Sequence, residues 1–68
     1  MNTTVNGEPQ VLSAGATVAS VLELLDVAPD ARGIAVAVDG EVVPRSRWDA
    51  TALRDGSAVE VVAAIGGG

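Results

Sequence analysis

Two dipeptides, Asn6-Gly7 and Asp39-Gly40, constrain the fold more than any other feature of the sequence. Asn-Gly and Asp-Gly favour two-residue type I′ turns because both central residues of that turn need a positive φ. Each dipeptide lies between a valine and a glutamate, and each is flanked by short segments with strand-forming character. The pattern predicts two β-hairpins, with strands at residues 2–5 and 8–12 and at residues 34–38 and 41–43.

A single helix is predicted between the two hairpins. Thr17 is a suitable N-cap, and an apolar stripe with helical spacing follows it, at Val18, Val21, Leu22 and Leu25. Pro29 disfavours a helical conformation in the residue before it, so we expect the helix to end near Asp26 or Val27. A helix of two to three turns is too short to be stable alone and must pack on a sheet.

The last strand is predicted at residues 58–63, and only Glu60 interrupts its apolar character. Apolar residues on both faces favour a central position in the sheet. With two hairpins and one helix, this order predicts an α+β chain with the β-grasp fold, in which the helix covers one face and the other stays open. Trp48 and Leu53 are expected to fill the end of the core. We expect residues 1–63 to form the domain and residues 64–68 a flexible tail.

Composition excludes several classes of function. The 68 residues contain no cysteine, no histidine and no lysine, and nine acidic residues outweigh four arginines for a net charge of −5. The commonest general base, metal ligand and nucleophile arrangements are therefore missing, and we expect no enzyme activity, no metal site and no bound cofactor. An acidic chain without lysine is a poor match for nucleic acid or an anionic membrane. With no apolar run of transmembrane length and no leader pattern, a cytoplasmic location is expected.

The chain closes with Ala64-Ile65-Gly66-Gly67-Gly68, a segment with little capacity to build a core. Such a segment is either a disordered chain end or a thread that enters another protein. Fully extended, it would span roughly 16–18 Å. The residues alone leave both interpretations open.

An ordered set of motifs resembles a known family. These motifs are Val5-Asn6-Gly7-Glu8, Gly15-Ala16-Thr17-Val18 before a leucine-rich helix, the segment 34–45, Trp48, Leu53-Arg54-Asp55-Gly56 and the terminal Gly67-Gly68. Together they resemble the ubiquitin-like sulfur carrier proteins, specifically the ThiS type of thiamin thiazole biosynthesis. Asp39 stands where asparagine is usual in the family, and Gly66 where a residue with a side chain is more usual.

The resemblance implies that the chain is a protein substrate. An E1-like adenylyltransferase would use ATP and magnesium to adenylate the carboxylate of Gly68, and Gly66 and Gly67 would let the tail thread into that enzyme. Sulfur from a cysteine desulfurase or other donor would convert the adenylate to a thiocarboxylate, which thiazole synthase would use. The face of the sheet that the helix leaves uncovered is the expected docking surface for these partners, through Ala58, Glu60, Val62 and Ile65.

Two other functions remain open from the sequence. A small subunit of molybdopterin synthase would share the fold, the terminal Gly-Gly and the activation chemistry, and would differ in the sulfur acceptor. A non-catalytic β-grasp binding module would not need a free terminal carboxylate. Arg45, Arg47 and Arg54 are expected to be solvated or salt-bridged surface residues, and Trp48 is expected to fill the core and not to form a ligand platform.

Overall fold

The computed structural model describes residues 1–63, which form five strands, one α-helix and one short 3-10 turn. In chain order these are β1 (Asn2–Val5), β2 (Glu8–Val11), α1 (Val18–Leu24), β3 (Ile34–Val38), β4 (Glu41–Val43), the 3-10 turn (Arg45–Arg47) and β5 (Ala58–Ala63). The strands form one sheet in the order β2-β1-β5-β3-β4. The last strand is central, parallel to β1 and antiparallel to β3. The predicted β-grasp arrangement is confirmed.

Both predicted hairpin turns are present, and their backbone angles explain the residues found there. Asn6 has a φ of 51° and Gly7 of 82°, and Asp39 and Gly40 have φ of 51° and 85°. A Cβ added at either glycine would meet no other atom within 4 Å, so the conformation and not the available space requires glycine. β2, which contains Pro9, is an edge strand as predicted.

The start of the helix is confirmed, and its end comes slightly before the predicted position. Thr17 caps α1 in a reciprocal arrangement: its backbone N–H donates to Ser20 Oγ (2.9 Å), and the Ser20 N–H donates to Thr17 Oγ1 (3.4 Å). The helix ends at Leu24, two residues before Asp26, so it is slightly shorter than predicted.

The early helix end has a local cause. Asp26 adopts a left-handed φ of 62° and donates its N–H to the carbonyl of Glu23 (3.0 Å), while Val27 donates to that of Leu22 (2.9 Å). This pair of bonds is a Schellman motif, which terminates the helix before Pro29 can. In consequence Leu25 lies beyond the helix and is 38% exposed, although the apolar stripe predicted that it would be buried.

The core lies between α1 and the face of the sheet that the helix covers. Its buried apolar residues are Val5, Val18, Val21, Leu22, Val36, Trp48, Leu53 and Val59. Trp48 and Leu53 occupy the positions predicted for them, and the indole Nε1–H donates to the carbonyl of Val43 (2.9 Å). Trp48 is therefore a core residue with its one polar group satisfied. Among residues 1–63, no helix is both long and apolar enough to cross a membrane.

Candidate functional site

β5 connects the body of the fold to the C-terminal segment on which the sequence placed the chemistry. It runs through the centre of the sheet and ends at Ala63, the last residue that the structure describes. The predicted docking residue Ile65, the threading residues Gly66 and Gly67, and the carrier residue Gly68 lie outside the described residues. Their roles therefore stay predictions.

The side chains of β5 alternate between the two faces of the sheet. Val59 is buried under the helix and Val61 is partly buried against the same core. The predicted docking residues Ala58, Glu60 and Val62 point the other way, and all three are exposed. The structure thus brings these three residues to the uncovered face, as predicted, and their role in docking remains a prediction.

The pairing register brings further residues to the same face. Val62 lies opposite Ala35 of β3, and Glu60 lies opposite Ala37. Ala37 in turn lies opposite Val42 of β4, which is 76% exposed, while Val62 is 62% exposed. We call Ala35, Ala37, Val42, Ala58, Glu60 and Val62 the open face. All of these except Ala58 also line a shallow depression of about 210 Å³.

Val42 and the two alanines were not predicted from the sequence as parts of this surface. The alternation of large residues and alanines in segment 34–38 was a usable signal, because it gives β3 one bulky and one small face. Whether the bulky or the small face of β3 lies beside Val62 depends on the pairing register of β3 with β5. A shift of that register by one residue would exchange the two faces.

Chemically, the open face combines exposed valines with one carboxylate. The small alanines of β3 lie between the exposed Val42 and Val62 and leave the depression between them. Glu60 carries the only formal charge among the six residues of this face. Such a surface suits a protein partner that presents an apolar side chain and a neighbouring cation.

Arg45 is an exposed surface residue, as the sequence predicted, but its side chain makes specific contacts that the sequence did not predict. Its guanidinium donates to the carbonyl of Pro29 (2.7 Å) and to the carbonyl of Ala31, and it lies 4.5 Å from the centre of the Trp48 ring. One side chain thus holds the loop after α1 against the 3-10 turn. Arg45 lies on the helix side of the sheet and is structural in its contacts.

The titratable residues of segment 1–63 do not assemble into a metal-binding cluster: no three histidine, cysteine, aspartate or glutamate residues come together there in a way that could hold an ion. Within the same segment every buried side-chain nitrogen and oxygen has a hydrogen-bond partner.

Comparison with known proteins identifies the family. The model of the ThiS family matches residues 3–68 of the chain, which is almost its full length. The chain belongs to the ThiS family. The family comprises sulfur carrier proteins of thiamine biosynthesis, so the resemblance inferred from the sequence motifs is confirmed.

Solved structures agree with the ThiS assignment. The crystal structure of the thiamine biosynthesis protein ThiS from Geobacter metallireducens is 41% identical, with a TM-score of 0.80 and full coverage of both chains. A solution NMR structure of a thiamine biosynthesis protein from the same organism is also 41% identical, with a TM-score of 0.78, and the match covers this whole chain and 88% of that one. At this identity the likeness supports family and fold together.

One curated relative is much longer than this ThiS-family chain. A thiazole synthase from Paramagnetospirillum magneticum is 43% identical over 68 residues, which are 100% of this chain and 20% of that protein. The chain therefore spans about a fifth of the length of that relative, which carries a ThiS-like segment within a larger protein.

Proposed function

We propose that this protein is a sulfur carrier in which the carboxylate of Gly68 is the reacting group. An E1-like enzyme with ATP and magnesium joins that carboxylate to AMP, with loss of pyrophosphate. A sulfur nucleophile then attacks the acyl carbon and expels AMP. Sulfide leaves a thiocarboxylate directly, whereas a persulfide from a cysteine desulfurase leaves an acyl disulfide, which a thiol reductant cleaves to the thiocarboxylate. The observation that carries this proposal is the family match, which runs through residue 68 and so includes Gly66-Gly67-Gly68.

In this proposal the chain is a substrate, and its partners supply the catalytic groups. The absence of cysteine and histidine from all 68 residues supports this division, because the chain lacks the side chains that most often act as nucleophile and general base. It also lacks lysine, so no side-chain amine competes for an activated carboxylate. ATP and magnesium belong to the activating partner.

The open face is the proposed docking surface for the activating enzyme. Holding five tail residues in one conformation within a partner's channel costs about 1–2 kcal/mol for each residue. The body of the carrier must offset that cost with affinity of its own. The exposed Val42 and Val62 offer apolar area for this, and Glu60, two residues before Val62 in β5, offers a partner for an arginine or lysine.

Thiazole synthase is the proposed sulfur acceptor. The relative that carries a ThiS-like segment is itself named a thiazole synthase, which supports a functional link between the two kinds of domain. A molybdopterin synthase large subunit would be the acceptor under the alternative interpretation, and the similar proteins reported above are named for thiamine or thiazole formation instead.

The proposal is tested by altering the position of the terminal carboxylate. We would delete Gly68 in one variant and append a single alanine after it in another, with Asp30→Ala in the exposed loop after α1 as the control. Both terminal variants should lose thiazole formation in a reconstituted assay while their melting temperatures match that of the control. An appended variant that stays unprocessed and still supports thiazole formation would exclude the proposal.

A further inference from the structure

The two sides of β5 are held to different extents. On one side β3 pairs with it through to its end, from Val38 opposite Val59 to Ile34 opposite Ala63. On the other side β1 pairs at two positions only, Thr4 with Ala58 and Val5 with Val59, before the chain turns away. The half of β5 that leads toward Gly68 therefore lies beyond the end of β1.

Asn6 extends that shorter side of the ladder. Its backbone N–H donates to the carbonyl of Val59 (2.8 Å), which continues the pairing of β1 by one step. Its side-chain Oδ1 then accepts a hydrogen bond from the N–H of Val61 (2.8 Å), 55 positions along the chain. The amide side chain thus occupies the place that a carbonyl of the next β1 residue would take if the strand continued.

The second hairpin turn provides a matched contact at the other end of β5. Asp39 has the same φ of 51°, donates its N–H to the carbonyl of Ala58 (2.8 Å) and accepts the N–H of Ala58 with its Oδ1 (3.0 Å). It holds the first residue of the strand, whereas Asn6 holds a residue two positions before its end. Of the two turn residues, Asn6 is the one placed to influence the exit of the chain.

We propose that Asn6 is a positioning residue for the sulfur-carrier reaction, an inference that rests on the function proposed above. By fixing the amide of Val61, it holds residues 61–63, the last residues that the structure describes, in the plane of the sheet. Loss of this bond leaves β3 as the only strand that holds residues 61–63. Without it, residues 61–63 can adopt a wider range of orientations, and the activating enzyme must bind the productive one among them. This weakens binding and does not change the chemical step.

The test separates the side-chain bond from the turn itself. Asn6→Gly keeps a residue that tolerates a positive φ and removes the acceptor, while Asn6→Asp keeps both the turn and an acceptor oxygen. Asp39→Gly is the matched control, because it makes the same kind of change at the start of β5. Each full-length variant is measured by amide hydrogen exchange and by steady-state kinetics with the activating enzyme.

We expect a different result for each of the three variants. Asn6→Gly should speed exchange of the Val61 amide by about 3- to 10-fold, the range expected for one neutral hydrogen bond, and raise the KM for the carrier by a similar factor with kcat unchanged. Asn6→Asp should restore both values. Asp39→Gly should speed exchange at Ala58 and leave both Val61 and the KM unchanged.

Three results would overturn the inference at different points. Unchanged exchange at Val61 in Asn6→Gly would show that the bond holds nothing, and faster exchange without a change in KM would show that it does not position the segment. Equal KM increases in Asn6→Gly and Asp39→Gly would assign the effect to general destabilisation. If the wild-type chain is not activated at all, the proposed function fails, and the positioning role fails with it.

Discussion

Arg45 shows how much of the local structure depends on one side chain. Its planar guanidinium reaches the carbonyls of Pro29 and Ala31 and lies over the Trp48 ring. These partners are 14 and 16 positions away for the carbonyls and three for the ring, so only the folded loop brings them together. The planar guanidinium of arginine has several N–H donors and a flat face, so it can make all three contacts. The compact ammonium of lysine cannot.

We therefore expect Arg45→Lys to lower the free energy of unfolding by about 1–2 kcal/mol although the formal charge is kept. Arg47→Lys is the matched control, because Arg47 is exposed and its side chain donates no hydrogen bond to residues 1–63; its effect should stay within about 0.5 kcal/mol. Urea denaturation followed by Trp48 fluorescence measures both. Equal effects of the two substitutions would contradict the role assigned to Arg45.

At the scale of elements, the features that could be predicted are those with a short-range signal. The Asn6-Gly7 and Asp39-Gly40 turns and the Thr17 cap depend on residues that lie within four positions of one another. The helix end could not be predicted in the same way. Asp26 takes the left-handed position that glycine usually fills, and aspartate there is a weak signal beside the stronger one from Pro29.

This helix end predicts opposite effects of one kind of substitution at two nearby positions. Asp26→Gly relieves a left-handed conformation and should stabilise the fold by about 0.5–1 kcal/mol. Glu23→Gly lies in the last turn of α1, where added backbone freedom should destabilise it by about 1 kcal/mol. Thermal denaturation of both variants gives the signs directly. A loss of stability in Asp26→Gly would show that its side chain contributes more than its backbone angle costs.

At the scale of the whole molecule, the sheet has one face covered by the helix and one open face. The side chains of β5 alternate between the two faces, so this strand contributes to both. The element order was enough to predict the central last strand and the uncovered face. The full composition of the open face was not predictable, because Val42 and Ala37 join it through pairing between β3 and β4 and not through proximity in sequence. The roles of residues 65–68, where the sequence predicts the chemistry, remain predictions.

Adjacent valines on opposite faces test what the open face does. Val61→Ser should lower the free energy of unfolding by about 1–2 kcal/mol because Val61 packs against the core. Val62→Ser should change stability by less than about 0.5 kcal/mol and weaken binding to the activating enzyme by about 10-fold. Denaturation and calorimetric titration measure the two effects. Full affinity in Val62→Ser would remove this residue from the docking surface.

The most direct measurement is the intact mass of the protein after incubation with ATP, magnesium, an E1-like activating enzyme, a cysteine desulfurase and cysteine. The proposed function predicts a mass increase equal to replacement of one oxygen by sulfur, with fragment ions that place it on Gly68. The same incubation without ATP should leave the mass unchanged. An unchanged mass with ATP, when the same enzymes activate another carrier, would contradict the assignment of Gly68 as the sulfur-carrying residue.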